Sequence, residues 1–312
     1  MLKKGDLKTM KILSKEDFIT TIIEELQNDN ECKFIVKDIK KNGVKSKGIS
    51  INLKKENNLE LNPIIYPETF YDDYKKKLIT IDKIKFQIKY ILLEESKRVN
   101  NDFNANDILD YNLVKNKIIP QIINMKNVEE KNICIPLNED IGIIFRIIID
   151  GIKNNSFNSA IVNTRLLTKW NINSFELYKD ALNNIKKNIF LADMNDLIIN
   201  GMNYKHSLNY DDYLDHINAK ELFQLVVTTN YKLYGAAVIL DNNLMKLIYK
   251  KIGEYYIIPS SIHEVIIFPK EKGSLKDIKK IVMDVNSNTV EEKDFLSNEI
   301  YEWENGKLII SR

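Results

Sequence analysis

Apolar residues recur at helical spacing through Phe18, Ile19, Ile22, Ile23 and Leu26. They follow Ser14-Lys15-Glu16-Asp17, where Ser14 is placed to cap and Asp17 lies three positions on, so a helix is predicted from about residue 15. The period then shortens to two. Lys33 to Lys40 alternates, Asn42-Gly43 is a tight-turn dipeptide, and Ile49-Ser50-Ile51-Asn52-Leu53 alternates again, which predicts a hairpin. A third short strand is expected at Asn62 to Tyr66, then helices over Glu68 to Lys76 and from Thr80 to about Val99. The second of these carries Ile84, Ile88, Ile91 and Leu92 as its inward stripe.

Asn100 to Asp107 is rich in Asn and Asp and reads as a loop, which suggests an N-terminal α+β region over 1–103 and a C-terminal one over 104–312. Beyond it the pattern predicts a short helix near Tyr111 to Asn116 and a strand at Ile118 to Met125. Ile133 to Asp150 reads as one long strand or a bent pair, and Ser159 to Asn163 as a further strand. Helices are expected at Thr164 to Trp170, after the capping sequence Asn173-Ser174-Phe175-Glu176, and across Asp193 to Asn200, with a polar loop over Gly201 to Asn218. The most regular stretch is 222–312. It reads as strands at Leu222 to Thr229, Gly235 to Leu240, Tyr255 to Ser260 and Ile262 to Pro269, helices at Asn243 to Ile252 and Leu275 to Asn286, and a last hairpin across Asn305-Gly306. Hairpins linked by helices predict an α+β fold of antiparallel sheets with helices packed on them. Val265 and Ile267 are expected on one side of their strand, Ile266 and Phe268 on the other. That strand is then central and covered on both faces, and Ile266→Asp is expected to cost several kcal/mol.

Composition narrows the class. With 44% hydrophobic and 29% charged residues the chain is globular in character, and its longest apolar run, Ile141 to Ile149, is broken by Arg146 and too short to span a bilayer. No secretory leader is expected, because Met1-Leu2-Lys3-Lys4-Gly5-Asp6 leads into no apolar segment of the needed length. The balance of 46 basic against 44 acidic residues gives no field that would draw a polyanion. Cys32 and Cys134 are the only cysteines and stand outside any Cys/His cluster, so a zinc site and a disulfide framework are not expected and a reducing, cytoplasmic address is.

Candidate chemistry concentrates in Ile258-Pro259-Ser260-Ser261-Ile262-His263-Glu264-Val265. Ser260, Ser261, His263 and Glu264 are the residue types of nucleophilic and acid–base catalysis. On an extended strand, however, Ser261 and His263 face one side and Glu264 the other, and no Gly-x-Ser-x-Gly elbow is present, so a hydroxyl-capped turn is the alternative reading. His206 and His216, with Asp211, Asp212 and Asp215, are divalent-cation ligand types in a loop-like segment, yet their spacing fits no standard set and no metal is expected. Lys40-Lys41 and Lys75-Lys76-Lys77 lie near Tyr66, Phe70, Tyr71 and Tyr74, a mixture suited to single-stranded nucleic acid. Asp72 and Asp73 interrupt it, and the aromatics recur at helical spacing as a buried stripe would. No phosphate-cradling glycine loop occurs, and no cofactor is expected.

Three stretches together resemble a known family: Pro136-Leu137-Asn138-Glu139-Asp140; Asn163-Thr164-Arg165-Leu166-Leu167-Thr168-Lys169-Trp170; and Tyr231 to Ala237 with Ile258 to Val265. They are similar to the bacterial domain-of-unknown-function family fifty-six eighty-eight and, more distantly, to the YtpQ-like family. The resemblance implies a bacterial or mobile-element protein and supplies no established activity. The resulting expectation is a non-enzymatic accessory factor that binds a protein partner, with no membrane association. The alternatives are a hydrolase or transferase centred on His263 and Glu264, and a nucleotide or nucleic-acid binder acting through the lysine-rich N-terminal half.

Overall fold

The computed structural model describes residues 12–51, 63–102, 105–149, 158–201, 204, 208–259, 261–304 and 306–312. The chain divides into two compact units, Met1–Asn106 and Asp107–Arg312.

The first unit contains α1 (Lys15–Gln27), β1 (Phe34–Lys41), β2 (Val44–Ile51), α2 (Tyr71–Lys75) and α3 (Ile81–Asp102). Ser14 Oγ accepts the Asp17 N–H at 3.1 Å, which satisfies one of the donors that a helix start leaves open. Asn42 and Gly43 both take left-handed backbone, φ 48° and 86°, as the tightest hairpin turn requires, and β1 pairs antiparallel with β2. Phe18, Ile22 and Leu26 of α1 and Ile84, Ile88 and Leu92 of α3 bury against Phe34, Ile49 and Ile51. Ile91 departs from the expected stripe. It sits about 100° around the helix from Leu92 and is 38% exposed. The strand expected at Asn62 to Tyr66 is reduced, among the described residues, to one bridge between Ile49 and Ile65. The helix expected over Glu68 to Lys76 begins as a 3-10 turn at Pro67–Phe70 and becomes α-helical only in α2.

The second unit runs α4 (Tyr111–Val114), β3 (Ile118–Asn124), β4 (Ile135–Pro136), β5 (Ile141–Ile148), β6 (Ser159–Ile161), α5 (Thr164–Trp170), α6 (Ser174–Lys186), β7 (Ile189–Asp193), α7 (Met194–Asn200) and α8 (Tyr210–His216). It continues with β8 (Leu225–Thr229), α9 (Asn242–Ile252), β9 (Tyr255–Ile258), β10 (Val265–Pro269), α10 (Leu275–Asn288), β11 (Tyr301–Glu304) and β12 (Lys307–Ile310). Six strands form one sheet in the order β12-β11-β9-β10-β8-β7, and β5 pairs with β3, β4 and β6 in a smaller one. Every pairing is antiparallel, so the architecture is the expected α+β. The stretch Ile133 to Asp150 resolves into β4 and β5, which pair with each other.

β10 is central, between β9 and β8. Val265 and Ile267 bury in a large core with Leu225, Val227 and Leu191, while Phe268 joins Ile258, Ile278, Val282 and Ile300 on the opposite face, with Ile266 packed against them. The predicted alternation therefore holds from Val265 onward. It fails before that, because Ile262 to Glu264 form a bend rather than strand. Gly235 to Leu240 also departs from expectation. It is a buried 3-10 helix, and with Ala236, Ala237 and Val238 all fully buried it has no polar face to set a period. Strand β7 and helix α8 were not expected: Ile189–Asp193 lies directly after α6, and Tyr210–His216 sits in what reads as polar loop.

Candidate functional site

The bend between β9 and β10 is held from three directions. From β8, Thr228 Oγ1 donates to the His263 carbonyl at 2.7 Å. The approach depends on Gly235, where a Cβ would lie 2.5 Å from the same carbonyl and 2.7 Å from Thr228 Cα. From the turn before the 3-10 helix, Tyr234 N–H donates to His263 Nδ1 at 3.2 Å. Tyr234 itself takes left-handed backbone, φ 52°, to present that N–H. From the segment before β11, Asp294 Oδ1 lies 3.3 Å from His263 Nε2, and the Asp294 carbonyl accepts the Ile262 N–H at 2.8 Å. An Nδ1 that accepts a hydrogen bond is unprotonated, so the ring carries its proton on Nε2, toward Asp294.

Ser261 is buried and bridges to Phe295. Its Oγ accepts the His263 N–H at 2.9 Å. Burial pushes the Glu264 carboxyl above its ordinary value, nearby Asp294 adds to the rise, and His263 and Ser261 pull against it. The bend thus brings Glu264 to the Ser261 side, where an extended strand would have turned it away. Ser260 lies outside the described residues. Ser261 and His263 are hydrogen-bonded with Glu264 beside them, and the serine oxygen and both histidine nitrogens face protein groups.

Tyr234 and Gly235 fall in the Tyr231 to Ala237 stretch that the resemblance singled out, whereas Thr228 and Asp294 were not legible, because neither carries a local signal and both are more than 30 residues from His263. The 294–301 segment ties further groups together. Asp140 accepts from Ser297 Oγ and Tyr301 Oη, each at 2.5 Å, and from Asn124 Nδ2 at 3.0 Å. Asn124 Nδ2 also donates to the Leu296 carbonyl, and the Ser297 N–H to the Pro259 carbonyl. Arg146, which breaks the apolar run of β5, is buried with its guanidinium 4.6 Å over the Tyr234 ring, and it donates to Gln121 Oε1 and Ser159 Oγ.

The other candidates do not converge. His216 Nδ1 lies 2.7 Å from the Asp212 carbonyl at the end of α8, a helix that also carries Asp211 and Asp215, while His206 is outside the described residues. Among the described residues no group of three or more His, Cys, Asp or Glu side chains is placed to hold a metal ion. Phe70, Tyr71 and Tyr74 pack on the core of the first unit, with Tyr71 and Tyr74 against Phe18. Lys85 pairs with Glu25, and Lys89 with Asp29 and Glu31. No helix of the described residues is long and apolar enough to cross a membrane, and both cysteines are free.

The model of a family of unknown function, DUF5688, matches residues 15–305, nearly the whole chain. The chain belongs to this family. No curated protein and no solved structure matches it. The stretches that carry the likeness have visible structural tasks. Asn138 Oδ1 accepts the N–H groups of Asp140 and Ile141 and shapes the turn that presents Asp140, Asn163 caps α5, and Trp170 Nε1 donates to the Ile108 carbonyl. Tyr234 with Gly235 and Ser261 to Glu264 build the junction at His263.

Proposed function

We propose that this chain is a non-enzymatic binding protein that acts by docking on another protein. The engagement of His263 carries the reading: with Tyr234 N–H on Nδ1 and Asp294 facing Nε2, the ring has no nitrogen directed at a substrate proton. A protein partner is supported by the outer side of α10. Ile278 and Val282 turn to the sheet, exposed Ile281 and Val285 flank that stripe on one side, and exposed Met283 lies on the other beside a groove of about 500 Å³ lined by Met283, Asn286 and Phe295. Free Cys32 and Cys134 support a reducing, cytoplasmic setting. The family resemblance supports a bacterial or mobile-element source, in which an accessory factor would act on a host protein.

Affinity capture from the source cell tests this with wild type, His263→Ala and the double variant Ile281→Asp/Val285→Asp. The reading expects one reproducible partner, kept by folded His263→Ala and lost by the α10 variant. The alternative, a hydrolase or transferase centred on His263 and Glu264, draws on the raised carboxyl of Glu264 beside the imidazole. A folded His263→Ala variant that has lost the protein's cellular effect, and a co-purifying small metabolite in place of a partner, would favour it over docking.

A further inference from the structure

Among the described residues Arg146 is the one buried basic side chain, 7% exposed, and no carboxylate of those residues pairs with it. The half-buried lysines Lys186 and Lys270 of the same unit each hold one, Asp241 at 3.5 Å and Glu302 at 2.6 Å. A guanidinium cannot relieve the cost of burial by losing its proton, so it calls for an anion or for neutral acceptors on every N–H. The protein acceptors are too few. Of the five N–H groups a guanidinium carries, Nε donates one to Gln121 Oε1 and Nη1 one to Ser159 Oγ at 3.0 Å. Nη2 has no protein acceptor among the described residues and is open to solvent.

The strand register places what surrounds the free N–H groups. Ile119 of β3 and Ile161 of β6 stand directly opposite Arg146, while Gln121 pairs with Ile144 and Ser159 with Ile148, so these side chains share one face of the small sheet. Tyr234 lies over that face with its ring 4.6 Å from the guanidinium carbon, which covers one flat side of the group and leaves its edge as the approach. β6 pairs with β5 alone, and its Ser159 and Ile161 are half-buried, so the approach opens across this outer strand. Ser159 Oγ is already the acceptor for Nη1, and its own proton has no acceptor among the described residues. The hydroxyl and Nη2 are thus adjacent donors at one opening.

We propose that Arg146 and Ser159 bind a carboxylate carried on a short apolar stem. One guanidinium beside a neutral hydroxyl balances a single negative charge, which suits a carboxylate rather than a phosphate dianion, and the planar edge of the guanidinium matches a planar carboxylate. Ile148 and Ile161 on the same face suit the stem. The site does not depend on the α10 surface. The carboxylate belongs either to a free acid or to an acidic side chain of a peptide, and the probes separate the two. The chain has four arginines, so full-length protein labelled with nitrogen-15 arginine gives few Nε–H signals, and Arg146→Lys identifies the one from Arg146. It is titrated with butyrate, with a short capped peptide containing one glutamate, and with inorganic phosphate. The expected result is a saturable shift of the Arg146 signal with a carboxylate, an affinity about fivefold lower in Ser159→Ala of wild-type circular dichroism, and weaker binding of phosphate. Butyrate binding assigns the site to a free acid, and binding of the peptide alone to a presented side chain. No saturable shift with either carboxylate overturns the proposal, as does a Ser159→Ala variant that binds like wild type, or phosphate binding tighter than both.

Discussion

Gly235 marks the point at which the side chain of Thr228 and the backbone of His263 come closest. A methyl group there meets Thr228 Oγ1 and Cα and the His263 carbonyl, all fixed by β8 and the bend, so there is no flexible tip to yield. Gly235→Ala should therefore destabilise the protein by about 1–3 kcal/mol, read as a lowered midpoint in urea unfolding with an unchanged slope. Glu264 gives a prediction with a sign. Its folded-state carboxyl lies above the ordinary value of 4.5 because burial disfavours the charge, so its contribution to stability is full below that pH and is lost as pH rises through the folded value. Wild type should thus lose stability relative to Glu264→Gln as pH climbs from about 4.5 toward neutrality. A difference between the two melting temperatures that stays constant over that range would contradict the burial argument. At this scale the sequence displayed the chemical types, Ser261, His263 and Glu264, but not their state. The groups that occupy them, Tyr234 N–H and the Asp294 carboxylate, are brought in by tertiary contacts that no local spacing announces.

Elements whose signals are local were legible. α1 and α6 have their caps written beside them, Ser14 with Asp17 and Asn173 with Glu176, and the β1–β2 turn needs only Asn42-Gly43. The 3-10 helix over Gly235–Leu240 was not, since a run buried on every side has no polar phase to distinguish helix from strand. β7 was hidden because it abuts α6 with only a short turn between, and its partner β8 lies more than 30 residues on. β10 supports a graded prediction. Ile267 is fully buried, whereas Ile266 packs only partly buried on the α10 side. Ile267→Asp should then cost several kcal/mol by placing an unpaired carboxylate in the core, and Ile266→Asp measurably less, in chemical denaturation of both variants. Equal costs would mean that the two faces of the strand are equally covered.

Across the second unit, the Pro136 to Asp140 and Ile258 to Val265 stretches meet through the 294–301 segment, while Tyr231 to Ala237 meets the latter directly through the Tyr234–His263 bond. Asp294 holds His263, Ser297 bonds both Asp140 and the Pro259 carbonyl, and Tyr301 returns to Asp140. These links span 157 and 161 residues in the Asp140 contacts, which is why the motifs read as separate signals along the chain. Taken together they describe a hydrogen-bonded junction, and a junction differs from a catalytic centre in one measurable respect: protein groups occupy both nitrogens of its histidine and leave neither for a substrate. The chain has only three histidines, so the imidazole nitrogens can be assigned by nitrogen-15 NMR of the full-length protein at a pH where the ring is neutral. The structure predicts for His263 a proton on Nε2, a bare Nδ1, and a coupling from the Tyr234 N–H to that Nδ1. A proton on Nδ1, or averaging between tautomers like that of a solvent-exposed ring, would contradict the account and return His263 to the list of catalytic candidates.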